Sequence, residues 1–511
     1  MKSIKNKILV LLAATSLFSV NVFADDLDDF GDFGDFGDFG STSDSKKTVE
    51  ISGKAFTEVR GYVDRDSLKD VGIKAIPQAE LGFAYNGKKA DAKINLKLNE
   101  ELIKNHPIDI LDEIVVSGYF ADWFTLQAGK MKVVWGKGDK YHVLDNFNAD
   151  DYSDFVIPDY IERRISTPMV KLGFDIPVSN LHIDGIFTPL LPVDHFASSG
   201  VWVPEKVTQI TNGVKSAATS AVGNLYAAYN SALIAYNQDP TSQTKALALQ
   251  NASSAYLTAL SAANGISSSS LYPDLMTLKY SQFGARFTGT FGSFDWGLSY
   301  YNGYYKQPSY NADKAKLWIS KALSNSATED DKFLAYDKKQ TFGIEGATTI
   351  DRFNLRGEFG YNLTDDIAGD DPFVHNNSIA WLGGFDFDLP FWNMNLNVQE
   401  TGTFILNYDN IDSNHDKGIS DVDHSNTGYT ANKLIANVTT SFINEKLAPE
   451  VTVIYGIERR DVVVMPKISY KPFEGLTLTA SGMYIWCYDE DSEFYGWKKN
   501  SYASLSASYQ F

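Results

Sequence analysis

The sequence contains a single cysteine, Cys487, among 511 residues. One cysteine excludes an intramolecular disulfide, a cysteine-rich zinc site and an iron–sulfur cluster. Its distance from the N-terminus also excludes a lipid-anchored cysteine. Basic residues are scarce as well, because 45 Lys and Arg stand against 64 Asp and Glu, a formal net charge of −19. This acidic balance argues against binding to nucleic acid or to anionic lipid, both of which need basic patches.

Long hydrophobic runs are missing after residue 24, so no segment is predicted to cross a membrane as a helix. Residues 1–24 have the three regions of a secretory signal: lysines at the start, an apolar stretch from Ile8 to Phe18, and Val22-Phe23-Ala24 as the cleavage site. Residues 25–47 are an acidic low-complexity tract with a repeated Phe-Gly-Asp unit, predicted to be a periplasmic tether. The chain is therefore expected to leave the cytoplasm.

Residues 48–511 instead alternate apolar and polar side chains with a period of two, which is typical of β-strands. Between Lys89 and Leu98, for example, apolar residues occupy every even position and mostly charged residues every odd one. We count 18 such segments, an even number, as closed bacterial membrane barrels require. Tight connections, among them Asn86-Gly87 and Asn444-Glu445-Lys446, follow the even-numbered strands, and long connections follow the odd-numbered ones.

This pattern predicts an all-β protein, a closed antiparallel transmembrane β-barrel of about 18 strands. Short periplasmic turns and long extracellular loops would place both termini in the periplasm of a bacterial outer membrane, with the barrel surrounded by outer-membrane lipid. Aromatic residues gather at strand ends, as interfacial girdles do. Glu400 falls on the lipid side of this register, so we expect strand 13 to contain a bulge or to be misplaced.

One outer loop, residues 205–265, changes to helical spacing of Ala, Leu and Tyr, interrupted at Asp239-Pro240. It predicts an α-helical hairpin inserted between strands 7 and 8. The Ala and Tyr stripe is expected to form the hairpin's own core rather than a ligand site. Three arrangements stay open from the sequence: the hairpin caps the pore, folds into it, or stands outside as a binding surface.

The loop at residues 135–168, between strands 5 and 6, is the most distinctive stretch. It contains Trp135-Gly136-Lys137-Gly138-Asp139, then Leu144-Asp145-Asn146-Phe147-Asn148, and two arginines before Pro168. Here the chain resembles an uncharacterised family of bacterial outer-membrane porin-like barrels that carry Trp-Gly-x-x-Asp and Leu-Asp-x-x-Asn in this place. The chain has Asn148-Ala149 where that family often has Asn-Pro, which puts the turn there in question. The C-terminal Ser-Tyr-Gln-Phe also resembles the signal read by the barrel-insertion machinery, with Phe511 last.

The resemblance implies a barrel and transport without implying a substrate. In porin-like barrels the loop after strand 5 commonly folds inward, which makes residues 135–168 a candidate constriction loop. Opposed charges at such a constriction select solutes by charge. The pore-lining candidates are the charged residues of this loop and of the lumen face of the strands: Arg60, Lys93, Lys97, Asp145, Asp150, Glu162, Arg163, Arg164, Arg286, Arg356 and Glu358. A solvated, salt-bridged loop is the competing interpretation.

The function that these features favour is passive passage of small hydrophilic solutes through an outer-membrane channel. The alternative is a surface-exposed adhesin or a structural protein with a plugged barrel, and a lipid-modifying enzyme is a more remote third class. Seven histidines are scattered, and no nucleophile elbow, phosphate loop or His-Glu-x-x-His motif occurs, so no catalytic residue is predicted. Cofactors are not expected, except for weak calcium binding at residues 412–423, where oxygen ligands recur at every second position.

Overall fold

A computed structural model describes residues 49–63, 73–154, 160–177, 180–197, 200–266, 268–410 and 429–511. Eighteen antiparallel strands form one sheet. The barrel strands are β1 (Val49–Tyr62), β2 (Ile73–Tyr85), β3 (Ala90–Asn99), β4 (Leu111–Ala121), β5 (Phe124–Met131), β8 (Thr167–Ile176), β9 (Leu181–Thr188), β11 (Gln282–Phe291), β12 (Phe294–Tyr304), β15 (Lys338–Ile350), β16 (Phe353–Leu363), β17 (Ser378–Asp388), β18 (Asn395–Ile405), β19 (Thr430–Thr439), β20 (Leu447–Gly456), β21 (Asp461–Phe473), β22 (Leu476–Cys487) and β23 (Tyr502–Gln510). Shorter strands in the loops are β6 (Ala149–Tyr152), β7 (Arg164–Ile165), β10 (His195–Phe196), β13 (Ser309–Tyr310) and β14 (Leu334–Ala335).

The sheet closes on itself because β1 pairs with both β2 and β23. At the seam, Gly53 and Phe511 exchange two backbone hydrogen bonds of 3.0 Å each. The ring of Phe511 lies over Gly53, where any Cβ atom would collide with it. The closed antiparallel barrel and its 18 strands confirm the predicted fold class.

The two faces of the barrel wall differ as the alternation predicted. Ile94 and Leu98 of β3 are exposed on the outside, whereas Lys93 and Lys97 of the same strand face the lumen. Exposed aromatic rings lie near the strand ends: Trp123, Phe291, Phe294, Phe391, Trp392, Tyr484 and Trp486. Outward apolar residues and inward polar ones are the arrangement that a barrel in lipid requires.

The expectation of a bulge or misplacement at Glu400 was wrong. Strand β18 pairs with β17 and β19 without any shift in register over its length. Glu400 does point outward, and its Oε2 accepts a hydrogen bond of 3.0 Å from the indole nitrogen of Trp381, on the same face. A local side-chain partner, rather than a change of backbone register, therefore accommodates the carboxylate.

Short connections and long loops alternate around the barrel, except that β20 and β21, where a long loop was expected, are joined by only four residues, 457–460. Several short turns contain residues with positive φ, among them Asn180, Gly292, Asp351 and Gly475. Asn, Asp and Gly tolerate this left-handed conformation, which tight reversals need. All the long loops consequently emerge from one end of the barrel.

The long loops carry the helices α1 (Glu100–Asn105), α2 (Tyr160–Arg163), α3 (Glu205–Gln238), α4 (Gln243–Asn264) and α5 (Ala312–Leu323). The predicted helical hairpin is formed by α3 and α4. Its buried residues, such as Val214, Ala218 and Ala259, share a hydrophobic core with Trp318 of α5 and with Phe333. The hairpin thus packs on the helix of the next long loop.

No helix in the described ranges is long and apolar enough to cross a membrane. The signal at residues 1–24, the tether at 25–47 and the calcium candidate at 412–423 lie outside the described residues.

Candidate functional site: the lumen and its inward loops

The loop between β5 and β8, residues 132–166, is fastened to the lumen side of β16 by one carboxylate. Glu358 Oε1 accepts hydrogen bonds from the backbone N–H groups of Lys137 at 2.8 Å and Gly138 at 2.7 Å. Its Oε2 accepts from Val143 at 2.7 Å and Leu144 at 3.1 Å. Glu358 is only 3% exposed. Hydrogen bonds to an ionised acceptor are the stronger kind, so four of them fix the loop tip firmly.

A second anchor involves the side chain of Asp139. It pairs with Arg356 of β16 and accepts a hydrogen bond from Asn397 of β18, and Lys140 N donates to Gln399 Oε1 at 3.0 Å. Strands β16 to β18 lie six to eight strands around the barrel from β5, nearly the opposite wall of an 18-strand barrel. The β5–β8 loop therefore crosses the lumen.

The apolar motif residues explain why the loop folds inward. Trp135 and Phe147 are buried, and their rings meet edge to face at 5.0 Å between centroids. Phe147 meets Tyr301 of β12 in the same way at 5.2 Å. Leu144 fills the space above Gly343 and Gly360, two lumen-facing positions that have no side chain. Burial of these rings drives the loop against the wall instead of into water.

The polar motif residues hold the loop ends together. Asn148 Oδ1 accepts from Val133 N at 2.8 Å, and its amide nitrogen donates to Met131 O and Ile165 O at 3.0 and 2.9 Å. Ala149, where the resembled family often has proline, begins strand β6. Gly136 has a φ of 113°, and a Cβ atom there would collide with the Glu358 carboxylate. Only glycine suits this close approach.

Four of the predicted charges in this loop pair with one another inside it. Arg164 contacts Asp145, and its Nη1 donates to Asn148 O at 2.9 Å. Arg163 Nε lies 3.4 Å from Asp150 Oδ1, and its guanidinium stands over the Tyr152 ring at 5.5 Å. Both arginines are at most 7% exposed. Burial makes these four side chains internal ties of the loop, as the competing salt-bridged interpretation expected, and a role for them in selecting solutes stays a prediction.

The other candidates lie on the lumen wall, except Glu162, which lies on α2 of the loop. Arg60, 1% exposed, binds Glu58 within β1 and Asp154 of the loop, the latter at 2.8 Å. Lys93 pairs with Glu113 at 2.9 Å. The remaining contacts are Lys54 with Glu162 at 3.4 Å, Arg286 with Glu345, and Arg356 with Asp386. Lys97 faces the lumen, with Glu80 as its cross-strand neighbour. Arg60 and Lys54 thus join the β1 wall to the loop, opposite Glu358.

Sequence reasoning missed a second inward loop, which leaves β9. Its residue Trp202 enters an apolar cluster with lumen-facing side chains of β19 to β23, including Ile435 and Val463. Its indole nitrogen donates to the Tyr62 hydroxyl of β1 at 3.0 Å. The apolar triplet Val201-Trp202-Val203, which follows the small polar residues Ser198-Ser199-Gly200, was the signal for this contact. The lumen is therefore narrowed from two sides.

Comparisons with known proteins find similarity only among solved structures. No protein-family model and no curated protein matches the sequence. Among solved structures, OccK3 (OpdO) of Pseudomonas aeruginosa has a TM-score of 0.44 at 9% identity, over 91% of this chain and 95% of that one. OccAB4 of Acinetobacter baumannii gives 0.43 at 9%, over 91% and 99%. OmpF of Salmonella typhi gives 0.40 at 7%, over 91% and 98%. Similarity this low says nothing about solutes, so function has to be inferred from this chain's own residues.

Proposed function

We propose that the protein is an outer-membrane channel that passes small hydrophilic solutes without catalysis. The observation that carries the proposal is the β5–β8 loop, which crosses the lumen and is fixed at Glu358 and Asp139. A loop held at both walls divides the lumen cross-section and sets the width and charge of the passage. Lumen-facing charges on the wall, such as Lys93 and Lys97 of β3, keep the passage polar, as transfer of hydrated solutes requires.

Placement in the bacterial outer membrane is part of the same proposal. The outward apolar residues and aromatic ends of the strands support it, because they match a lipid-facing surface. We place both termini in the periplasm and the long loops outside the cell. We also propose that the C-terminal strand, ending in Phe511, is recognised by the insertion machinery. We also propose that the chain belongs to the porin-like family with the Trp-Gly-x-x-Asp loop. This is supported by the contacts of Trp135, Asp139 and Asn148, which anchor that loop.

The experiment is conductance of the purified full chain in planar lipid bilayers, with two isosteric variants. Glu358→Gln replaces one carboxylate oxygen by an NH₂ group that faces backbone donors, so two hydrogen bonds are lost, at a cost of about 2 kcal/mol or more. Glu345→Gln is the matched control. Glu345 lies directly across from Glu358 on β15 and is equally buried, but it binds Arg286 instead of the loop.

Wild-type protein is expected to give discrete conductance steps. Glu358→Gln should give larger or noisier steps, because the loop leaves the wall, and Glu345→Gln should keep the wild-type step. A folded barrel that inserts without conducting would reject the channel and favour the plugged adhesin. Conduction that is the same in all three proteins would place the β5–β8 loop outside the passage.

A further inference from the structure

A cluster of metal-binding side chains lies where two long loops meet. His106 and Asp109 belong to the β3–β4 loop, and His195 lies on β10, in the loop that follows β9. One ligand atom from each residue lies within 4.8 Å of the others. The two imidazole rings are stacked, with 4.0 Å between centroids and 16° between planes.

The local backbone brings the first two residues together. His106 precedes the 3₁₀ turn Pro107–Ile110, and Asp109 N donates to His106 O at 2.9 Å. Side chains three residues apart in a 3₁₀ turn lie on the same side. His195 is fixed separately, because β10 pairs with β6 of the lumen-crossing loop. The three side chains thus converge from two parts of the chain that are distant in sequence.

Two imidazole nitrogens and one carboxylate oxygen form a ligand set that suits zinc. Around a tetrahedral zinc ion, bonds of about 2.0–2.2 Å place neighbouring ligand atoms about 3.3 Å apart. The present separation of up to 4.8 Å is larger than this value, so binding requires the two stacked rings to turn toward a shared ion. All three residues are half-buried, so they are partly desolvated and still accessible to an ion.

We propose that His106, Asp109 and His195 bind a zinc ion that fastens the β3–β4 loop to the loop after β9. Three protein ligands leave the fourth position to water. Because β10 is paired with β6, the ion would link the β3–β4 loop to the loop that crosses the lumen. The inference does not depend on the channel function.

A neighbouring lysine competes with the ion. Lys130 Nζ lies 2.8 Å from Asp109 Oδ1 and also donates to Leu111 O at 2.7 Å. A divalent cation would repel this ammonium and take over the carboxylate, while Lys130 keeps its carbonyl partner. Loss of the lysine charge should therefore tighten binding.

His182 offers a matched control. It also stands between carboxylates, with Nδ1 2.6 Å from Asp175 and Nε2 3.0 Å from Asp184. Both ring nitrogens are already used, so neither is available to an ion. His182 lies on β9, outside the proposed cluster.

The test is calorimetric titration of the full chain in detergent with zinc chloride, and heat-modifiable gel migration verifies that each variant folds. We expect one site in wild-type protein. His106→Ala and His195→Ala should each weaken it at least about 100-fold, more than loss of an outer hydrogen-bond partner causes. His182→Ala should leave it unchanged, and Lys130→Met should tighten it about fivefold, as expected for one partly exposed charge.

Zinc should also slow proteolysis of the β3–β4 loop in wild-type protein but not in His195→Ala, since that residue lies on the other loop. Wild-type affinity equal to that of a His106→Ala, His195→Ala double variant would overturn the site. An equal loss of affinity in His182→Ala would show nonspecific binding and overturn it as well.

Discussion

Trp381 on β17 donates a hydrogen bond of 3.0 Å to Glu400 on β18, and both side chains face out of the barrel. Glu400 lies at the middle of its strand. In the proposed membrane, the pair would hold a carboxylate at lipid depth, where charge is costly. The indole hydrogen bond offsets part of that cost.

We predict that Glu400→Gln stabilises the barrel in lipid by about 1–2 kcal/mol, because the amide oxygen still accepts from Trp381 while the charge is removed. Reversible urea unfolding from lipid vesicles measures this. Trp381→Phe should destabilise the protein by removing the donor. Equal stability of wild type and Glu400→Gln would mean that Glu400 does not face lipid.

Removal of Arg164 should disorder the β5–β8 loop. Asp145 would then be buried without its cationic partner, which costs about 3–5 kcal/mol. Limited proteolysis of Arg164→Ala should show rapid cleavage between residues 132 and 166, and the barrel itself should stay resistant.

Combining Asp145→Asn with Arg164→Met removes both charges at once, so most of the protection should return. A double variant as sensitive as Arg164→Ala would show that the pair contributes through more than its charges.

Lys306 should contribute to anion preference. Its Nζ lies 2.6 Å from Gln282 Oε1 on the lumen face of β11, and no carboxylate of the described ranges is within 4.0 Å. Burial, together with nearby Lys339, lowers the pKa of Lys306 well below its usual value. In acidic solution, where Lys306 is protonated, Lys306→Met should shift the reversal potential in a salt gradient toward cations, and Lys316→Met on exposed α5 should not.

The lowered pKa also predicts a pH effect of definite sign. Lys306 is protonated below its pKa and neutral above it, so anion preference should weaken as pH rises, before an ordinary lysine titrates. Wild-type selectivity that is constant up to pH 10 would contradict this assignment.

The orientation of the barrel predicts a labelling pattern. An epitope tag inserted at Asp239-Pro240, between α3 and α4, should be accessible on intact cells. A tag at Asn86-Gly87, in a short turn, should become accessible only after the outer membrane is opened. The opposite pattern would reverse the proposed topology.

Strand positions were predictable from the sequence because every barrel strand must alternate polar and apolar residues. In β3, alternate residues face the polar lumen and the residues between them face outward. The polarity of Lys93 and of Ile94 therefore identifies the side on which each lies, without knowledge of any other strand. Turn residues such as Asp351 mark reversals for an equally local reason, since few side chains tolerate positive φ.

Only the tertiary structure decided what the charged loop residues do. Arg164 and Glu358 are both charged residues at positions that could line a pore. Arg164 pairs with Asp145 inside the loop, whereas Glu358, on the opposite wall, accepts hydrogen bonds from the loop backbone. These contacts join segments distant in sequence, as do Trp202 with Tyr62 and His106 with His195. The sequence alone determined the closed barrel, because alternation is imposed residue by residue. The path of the loops through the lumen depends on which distant groups satisfy each other's hydrogen bonds and charges, which no local pattern records.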